Sequence, residues 1–176
     1  YNLVIPNREI RNIITNNILK MFKESIKKDG KTVGEFCDAL LKQNPEKVES
    51  IFTDYMKKTI SIRDTFVKKP TKENFYHGLL LGILGFKENW SVMSNRESGD
   101  GFSDILIRIE DEDVGIVIEV KYASDGNMEK ECENALQQIT DVRYIEALEQ
   151  EGIHKIIKYG VACYKKKCKV MMKIEG

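Results

Sequence analysis

Scarcities narrow the reading first. The 176 residues include four cysteines, two histidines, three prolines and one tryptophan. Cys37, Cys132, Cys163 and Cys168 lack the short paired spacing of a zinc knuckle, and two histidines are too few to complete a closed Cys/His site. They read as buried thiols in a reducing, cytoplasmic setting. Neither sign of charge is in excess, since 28 basic side chains meet 28 acidic ones. That argues against a protein that coats nucleic acid generally, because counterion release needs a concentrated positive face. A local basic rim beside a bound cation stays open. No apolar run approaches the ~20 residues of a membrane-spanning helix and no secretory signal opens the chain, so no membrane partner is expected. The first residue is Tyr1, inside the apolar stretch Leu3-Val4-Ile5, which reads as a piece of a longer protein.

What is present is ordinary for a soluble globular chain: 41% hydrophobic and 32% charged residues, enough for one domain or a core with a helical extension. The first third reads as helices. Asn7 is an N-cap candidate before Ile10, Ile13, Ile14, Ile18 and Met21. After the break at Asp29-Gly30, Thr32 and Glu35 form a capping-box pattern before Phe36, Cys37, Leu40 and Leu41. Asn44-Pro45 then opens a helix carrying Val48, Ile51, Phe52, Tyr55 and Met56. These stripes read as packing surfaces and carry no chemistry. Lys68-Lys69-Pro70-Thr71 marks a boundary. A helix from Glu73 to Phe86 follows, and its glycines, Gly78, Gly82 and Gly85, imply close helix packing.

From Trp90 the pattern becomes that of strands. Val92 to Glu97 is the first, ending in Ser98-Gly99-Asp100-Gly101. Ser103 to Glu110 alternates, with Ile105, Ile107 and Ile109 on one face and Asp104, Leu106, Arg108 and Glu110 on the other. Val114 to Tyr122 alternates too, with Val114, Ile116, Ile118 and Val120 opposed to Gly115, Val117, Glu119 and Lys121. The acidic tip Asp111-Glu112-Asp113 joins the two as a hairpin. Asn127 to about Gln150 reads as a helix with the stripe Met128, Cys132, Ala135, Ile139 and Val142. Two strands close the chain, around Ile156 to Tyr164 and Cys168 to Ile174, joined by Lys165-Lys166-Lys167.

The central hairpin holds the candidate chemistry. Glu119 and Lys121 leave one strand face roughly 6–7 Å apart. A hairpin loop of even length brings Asp104 opposite Glu119 or Lys121. Three charges on largely apolar strands need compensation, because an unpaired buried ion costs several kcal/mol. A divalent cation supplies it, and carboxylates are hard ligands suited to Mg²⁺. Such an ion can activate water and stabilise phosphoryl oxygens, while Lys121 orients the water or neutralises developing charge. The competing reading is a strand-end Glu119–Lys121 pair beside an unrelated Asp104, and spacing alone does not decide between them.

The order of these features resembles the PD-(D/E)XK, or restriction-endonuclease-like, superfamily. The helix with Glu73-Asn74-Phe75-Tyr76-His77, a strand and glycine turn, Ser103-Asp104, the E-x-K strand Ile118-Glu119-Val120-Lys121 and the helix with Ala135-Leu136-Gln137-Gln138-Ile139 follow one another as they do there. More closely, the chain looks like a bacterial group in which this domain follows an AAA-type ATPase-like region. Phe75-Tyr76-His77-Gly78, the stretch from Ser94 to Gly101, and Ala135 to Ile139 carry that likeness, which runs from about Glu73 to Val170. Ile5-Pro6-Asn7 looks like the start of that group's helical lead-in. The resemblance implies that Asp104 and Glu119 bind the metal, with the backbone carbonyl of Val120, and that Lys121 assists the water. It also draws Glu73, His77 and Gln138 towards the site. Glu73 and His77 also fit an ordinary i,i+4 pair, Gln138 a surface glutamine, and Glu97 a turn cap more readily than a ligand. Ser103 stands where the motif has proline, and Phe102 where relatives often have a basic residue.

The resulting expectation is an α/β restriction-endonuclease-like core over residues 70–176, with a mixed central sheet flanked by helices. Residues 1–69 form an α-helical N-terminal extension covering one side. The expected activity is Mg²⁺- or Mn²⁺-dependent hydrolysis of phosphodiesters, most readily in DNA, including branched or single-stranded forms. An upstream ATPase-like domain of the same polypeptide is the expected partner, and oligomerisation is left open. The alternative is a non-catalytic module that docks on, or regulates, such an ATPase-like protein, or that binds nucleic acid without cleaving it.

Overall fold

Strict alternation over Val114–Tyr122 makes this run the centre of a sheet, since every second residue is apolar on one face. In the computed structural model, which describes residues 30–59, 69–94, 105–109, 112–141, 148 and 152–175, it is the third of five strands. These are β1 (Trp90–Ser94), β2 (Ile105–Ile109), β3 (Val114–Tyr122), β4 (Lys155–Tyr164) and β5 (Lys167–Glu175), lying side by side in chain order. β3 and β4 run parallel and all other neighbours antiparallel. The helices are α1 (Gly30–Leu41), α2 (Pro45–Thr59), α3 (Lys69–Leu84) and α4 (Met128–Asp141). A parallel pair needs a long crossover, and α4 lies within the one that joins β3 to β4. The expected mixed α/β sheet flanked by helices is therefore present.

The two sheet faces have different cores. Ile105, Ile107, Ile116, Ile118 and Val120 pack with Ile157, Tyr159 and Val161 against Phe36, Leu40, Phe52, Met56, Tyr76 and Leu80 of α1 to α3, forming one cluster. Each fully buried side chain of this kind contributes about 1.5–3 kcal/mol. The buried Tyr159 hydroxyl donates to the Leu40 carbonyl at 2.7 Å, which ties α1 to β4. On the opposite face Leu106, Val117 and Ile156 meet Leu136 and Ile139 of α4 together with Leu148 and Ile153. α4 comes close because β4 carries Gly160 there. A Cβ at that position would collide with the Cys132 carbonyl oxygen and stand 3.0 Å from Leu136 Cγ. No described helix is long and apolar enough to cross a membrane.

Several local expectations shift. Asn44 does cap α2, accepting from Lys47 N at 2.9 Å. Thr32, by contrast, lies inside α1, which is already helical at Gly30. A cap is worth about 1 kcal/mol, and each further residue of helix gains a backbone bond, so the local signal loses. α3 starts at Lys69 and takes Pro70 into its first turn, where the missing N–H removes no bond. Close packing does not explain Gly78, which is exposed and would meet nothing within 4 Å with a Cβ added. β1 starts at Trp90, two residues early, because this indole is buried and paired with Ile109. Lys167 belongs to β5, leaving Lys165-Lys166 as a two-residue turn. The helix expected after Asn7, Glu97, the Gly99-Asp100-Gly101 turn, Phe102, Ser103, Asp104 and Val142 lie outside the described residues.

Candidate active site

β3 ends in two charged residues on the face it shows to α4. Glu119 and Lys121 are two apart, so the pleat sends both side chains the same way. Glu119 Oε1 and Lys121 Nζ are 2.6 Å apart, with the carboxylate side chain 3% exposed and the lysine 20%. The ammonium also donates to Gln138 Oε1 on α4. Asn127 fixes where that helix begins, since its Oδ1 accepts from Lys130 N at 3.2 Å and its own N–H donates to Asp125 at 3.0 Å. Ala135, Leu136 and Ile139 then face the sheet, and Gln138 stands beside that stripe. Gly160, the register partner of Glu119, lets the helix sit near enough for the contact. Two of the three ammonium donors thus have protein acceptors. Burial would cost this pair several kcal/mol if either charge stood alone.

A second set of contacts reaches β3 from the other face. Glu73 Oε1 accepts from the backbone N–H of Tyr122 at 3.2 Å. Successive peptide groups along a strand point to alternate edges, and the next one, Ala123 N, bonds Cys163 O on β4. Tyr122 N therefore points to the β2 edge, and Glu73 meets the strand there. Lys72, the residue before Glu73, holds its ammonium 4.4 Å from the centre of the Tyr122 ring and 3.4 Å from its hydroxyl. Tyr76 stacks on Tyr122 at 6.1 Å and donates its hydroxyl to Lys165 O at 2.6 Å. Sequence patterning did not single out Lys72 or Tyr122. The one available signal was that Tyr122 ends the alternating run beside Lys121.

The structure thus joins Glu119, Lys121 and Gln138 directly and brings Glu73 to the same strand end. His77, one turn along α3, is buried, and its Nε2 stands 3.4 Å from Ser94 Oγ on β1. Glu97 and Asp104 are outside the described residues. The β2–β3 register is described up to Ile105↔Ile118, next to Glu119, and the tip of residues 110–113 has the even length expected. Among the described residues no three His, Cys, Asp or Glu side chains form a metal-holding group. The four cysteines are buried and free. Burial pushes the Cys37 and Cys132 thiols up to about 11 and Cys168 to about 12, so none is a ready nucleophile near neutral pH.

Residues 71–173 match the family model described as the PD-(D/E)XK nuclease superfamily. No significant match was found among curated proteins or solved structures. The matched stretch contains Glu73, His77, Glu97, Asp104, Glu119, Val120, Lys121 and Gln138.

Proposed function

This chain belongs to the PD-(D/E)XK nuclease superfamily, and from that premise we propose that it hydrolyses phosphodiester bonds of DNA with the help of Mg²⁺ or Mn²⁺. The Glu119–Lys121–Gln138 chain, a buried carboxylate held by a half-buried ammonium at the end of an otherwise apolar strand, carries the proposal. A purely structural strand end has no need of two desolvated charges. The donor set suits a hard cation. Glu119 offers carboxylate oxygens and Val120 a backbone carbonyl, and Asp104 precedes Ile105, whose partner Ile118 precedes Glu119. All-oxygen sets favour Mg²⁺ and Mn²⁺ over zinc. When bound, the cation would polarise the phosphoryl group and ease ionisation of the attacking water.

The side chains have distinct tasks in this reading. Asp104, Glu119 and the Val120 carbonyl would hold the cation. Lys121 donates to the attacking water or to the phosphoryl oxygen as its charge grows. Gln138 anchors the ammonium independently of Glu119, so the lysine keeps its position. Glu73, His77 and Glu97 shape the rim. The protein acts in the cytoplasm, coupled to an ATPase-like region of the same polypeptide.

One observation favours a second reading, that of a docking or nucleic-acid-binding module without catalysis. Lys121 already neutralises Glu119, so the fold needs no cation. Incubation of supercoiled plasmid, single-stranded and branched DNA with Mg²⁺ or Mn²⁺, beside EDTA and Lys121→Ala controls, separates the two. Cleavage that needs metal and is lost in the variant supports the nuclease. Equal cleavage by the variant would sink the site assignment, and an inert wild-type chain would favour the docking module.

A further inference from the structure

β3 and β4 are parallel, so their C-terminal ends lie at one edge of the sheet, beside Glu119 and Lys121. Open α/β sheets bind ligands at that edge. There the chain alternates cations and rings. Lys72 lies over Tyr122, Tyr122 is 6.2 Å from Tyr164, and Lys165 Nζ is 5.0 Å from the centre of the Tyr164 ring. Lys166 and Lys167 continue the positive charge through the turn.

The turn puts a lysine where the backbone prefers a smaller residue. Lys165 has φ 54°, the left-handed region that glycine or asparagine normally fills in two-residue hairpins. Its carbonyl is nonetheless fixed by the Tyr76 hydroxyl at 2.6 Å, from the same helix that carries Lys72 and Glu73. A lysine kept where glycine would fit better points to a use for its side chain. No described ion pair joins Lys72, Lys165 or Lys166 to a carboxylate; Glu73 and Asp125 are instead hydrogen-bonded to the backbone N–H groups of Tyr122 and Asn127.

Resting on the nuclease reading, we infer that Lys72, Lys165 and Lys166, backed by Tyr122 and Tyr164, form a phosphate-binding subsite that holds the nucleic-acid backbone on one side of the scissile bond. Such contacts release counterions and steepen the salt dependence of binding. The test is fluorescence anisotropy with a labelled duplex and a labelled single strand, in EDTA, across a NaCl series. The Lys72→Gln/Lys165→Gln/Lys166→Gln triple variant should flatten the slope of log K against log[salt] by about 2 to 3. The corresponding triple arginine variant should restore it, and Lys57→Gln/Lys58→Gln on α2 should leave it unchanged. Lys165→Gly adds a readout that a structural role cannot mimic: it should melt higher than wild type yet lose about 1 from the slope. A slope unchanged in the triple variant, or flattened equally by the α2 pair, overturns the subsite, and plasmid cleavage by wild type would then still stand. If wild type neither binds either probe nor cleaves plasmid, the nuclease reading fails and takes the subsite with it.

Discussion

Lys121 has two acceptors and Glu119 has one described donor, which makes the pair asymmetric. Lys121→Met keeps the length of the side chain but leaves Glu119 buried without its cation. It should abolish metal-dependent cleavage and cost about 2 kcal/mol of stability in urea denaturation. Adding Glu119→Gln should return most of that stability and none of the activity, giving a double-mutant cycle with a clear coupling energy. A Lys121→Met protein as stable as wild type would mean that the ion pair is loosely held. Glu119 and Lys121 were visible in the sequence through strand parity, and Gln138 through the resemblance of its helix to the family's. Lys72 and Tyr122 were not. Their association spans 50 positions, and no local period encodes a lysine crossing from a helix onto a strand-end ring.

Elements were legible where the period was long and uninterrupted. β3 begins and ends where its alternation does, and the pairing of Leu106 with Val117 follows from the even tip. Ends set by tertiary contacts were less so. α1 runs through its apparent cap, α3 starts inside its apparent boundary, and Trp90 is drawn into β1 by burial. Glycine was the most deceptive signal, since a sequence does not tell an exposed glycine from a crowded one. Gly78→Ala should raise stability by about 0.5–1 kcal/mol, because it removes backbone entropy from the unfolded chain and meets open space in the fold. Gly160→Ala should do the reverse. Its methyl group must push α4 off the sheet, costing about 1–3 kcal/mol in thermal unfolding. Since Gln138 rides on α4, cleavage should also fall by more than the loss of folded protein explains. Activity in proportion to folded protein would sever that link.

Over the whole molecule, the four buried thiols set an alkaline limit. Burial raises Cys37 and Cys132 from 9.0 to about 11 and Cys168 to about 12 in the fold, whereas unfolded thiols ionise near 9. Above that value the unfolded state binds fewer protons than the native one, so stability declines as pH rises. Urea midpoints should be insensitive to these thiols below about pH 9 and fall steadily from there to about pH 11. Cys37→Ala should soften the decline, and an identical decline in that variant would remove the thiol as its cause. α1 and α2 are equally integral. Phe36, Leu40, Phe52 and Met56 share one core with the sheet, so a fragment limited to the family-matched residues 71–173 should lack cooperative unfolding.

The bond from the Tyr159 hydroxyl to the Leu40 carbonyl has a mechanical consequence. Tyr159 directly precedes Gly160, and Gly160 is the neighbour of Glu119 across the parallel ladder. α1 is therefore one end of a stiff strut whose other end rests one residue from the carboxylate. Loss of that bond, as in Tyr159→Phe, should loosen α1 against the strand that flanks Glu119, which amide exchange along β4 would register.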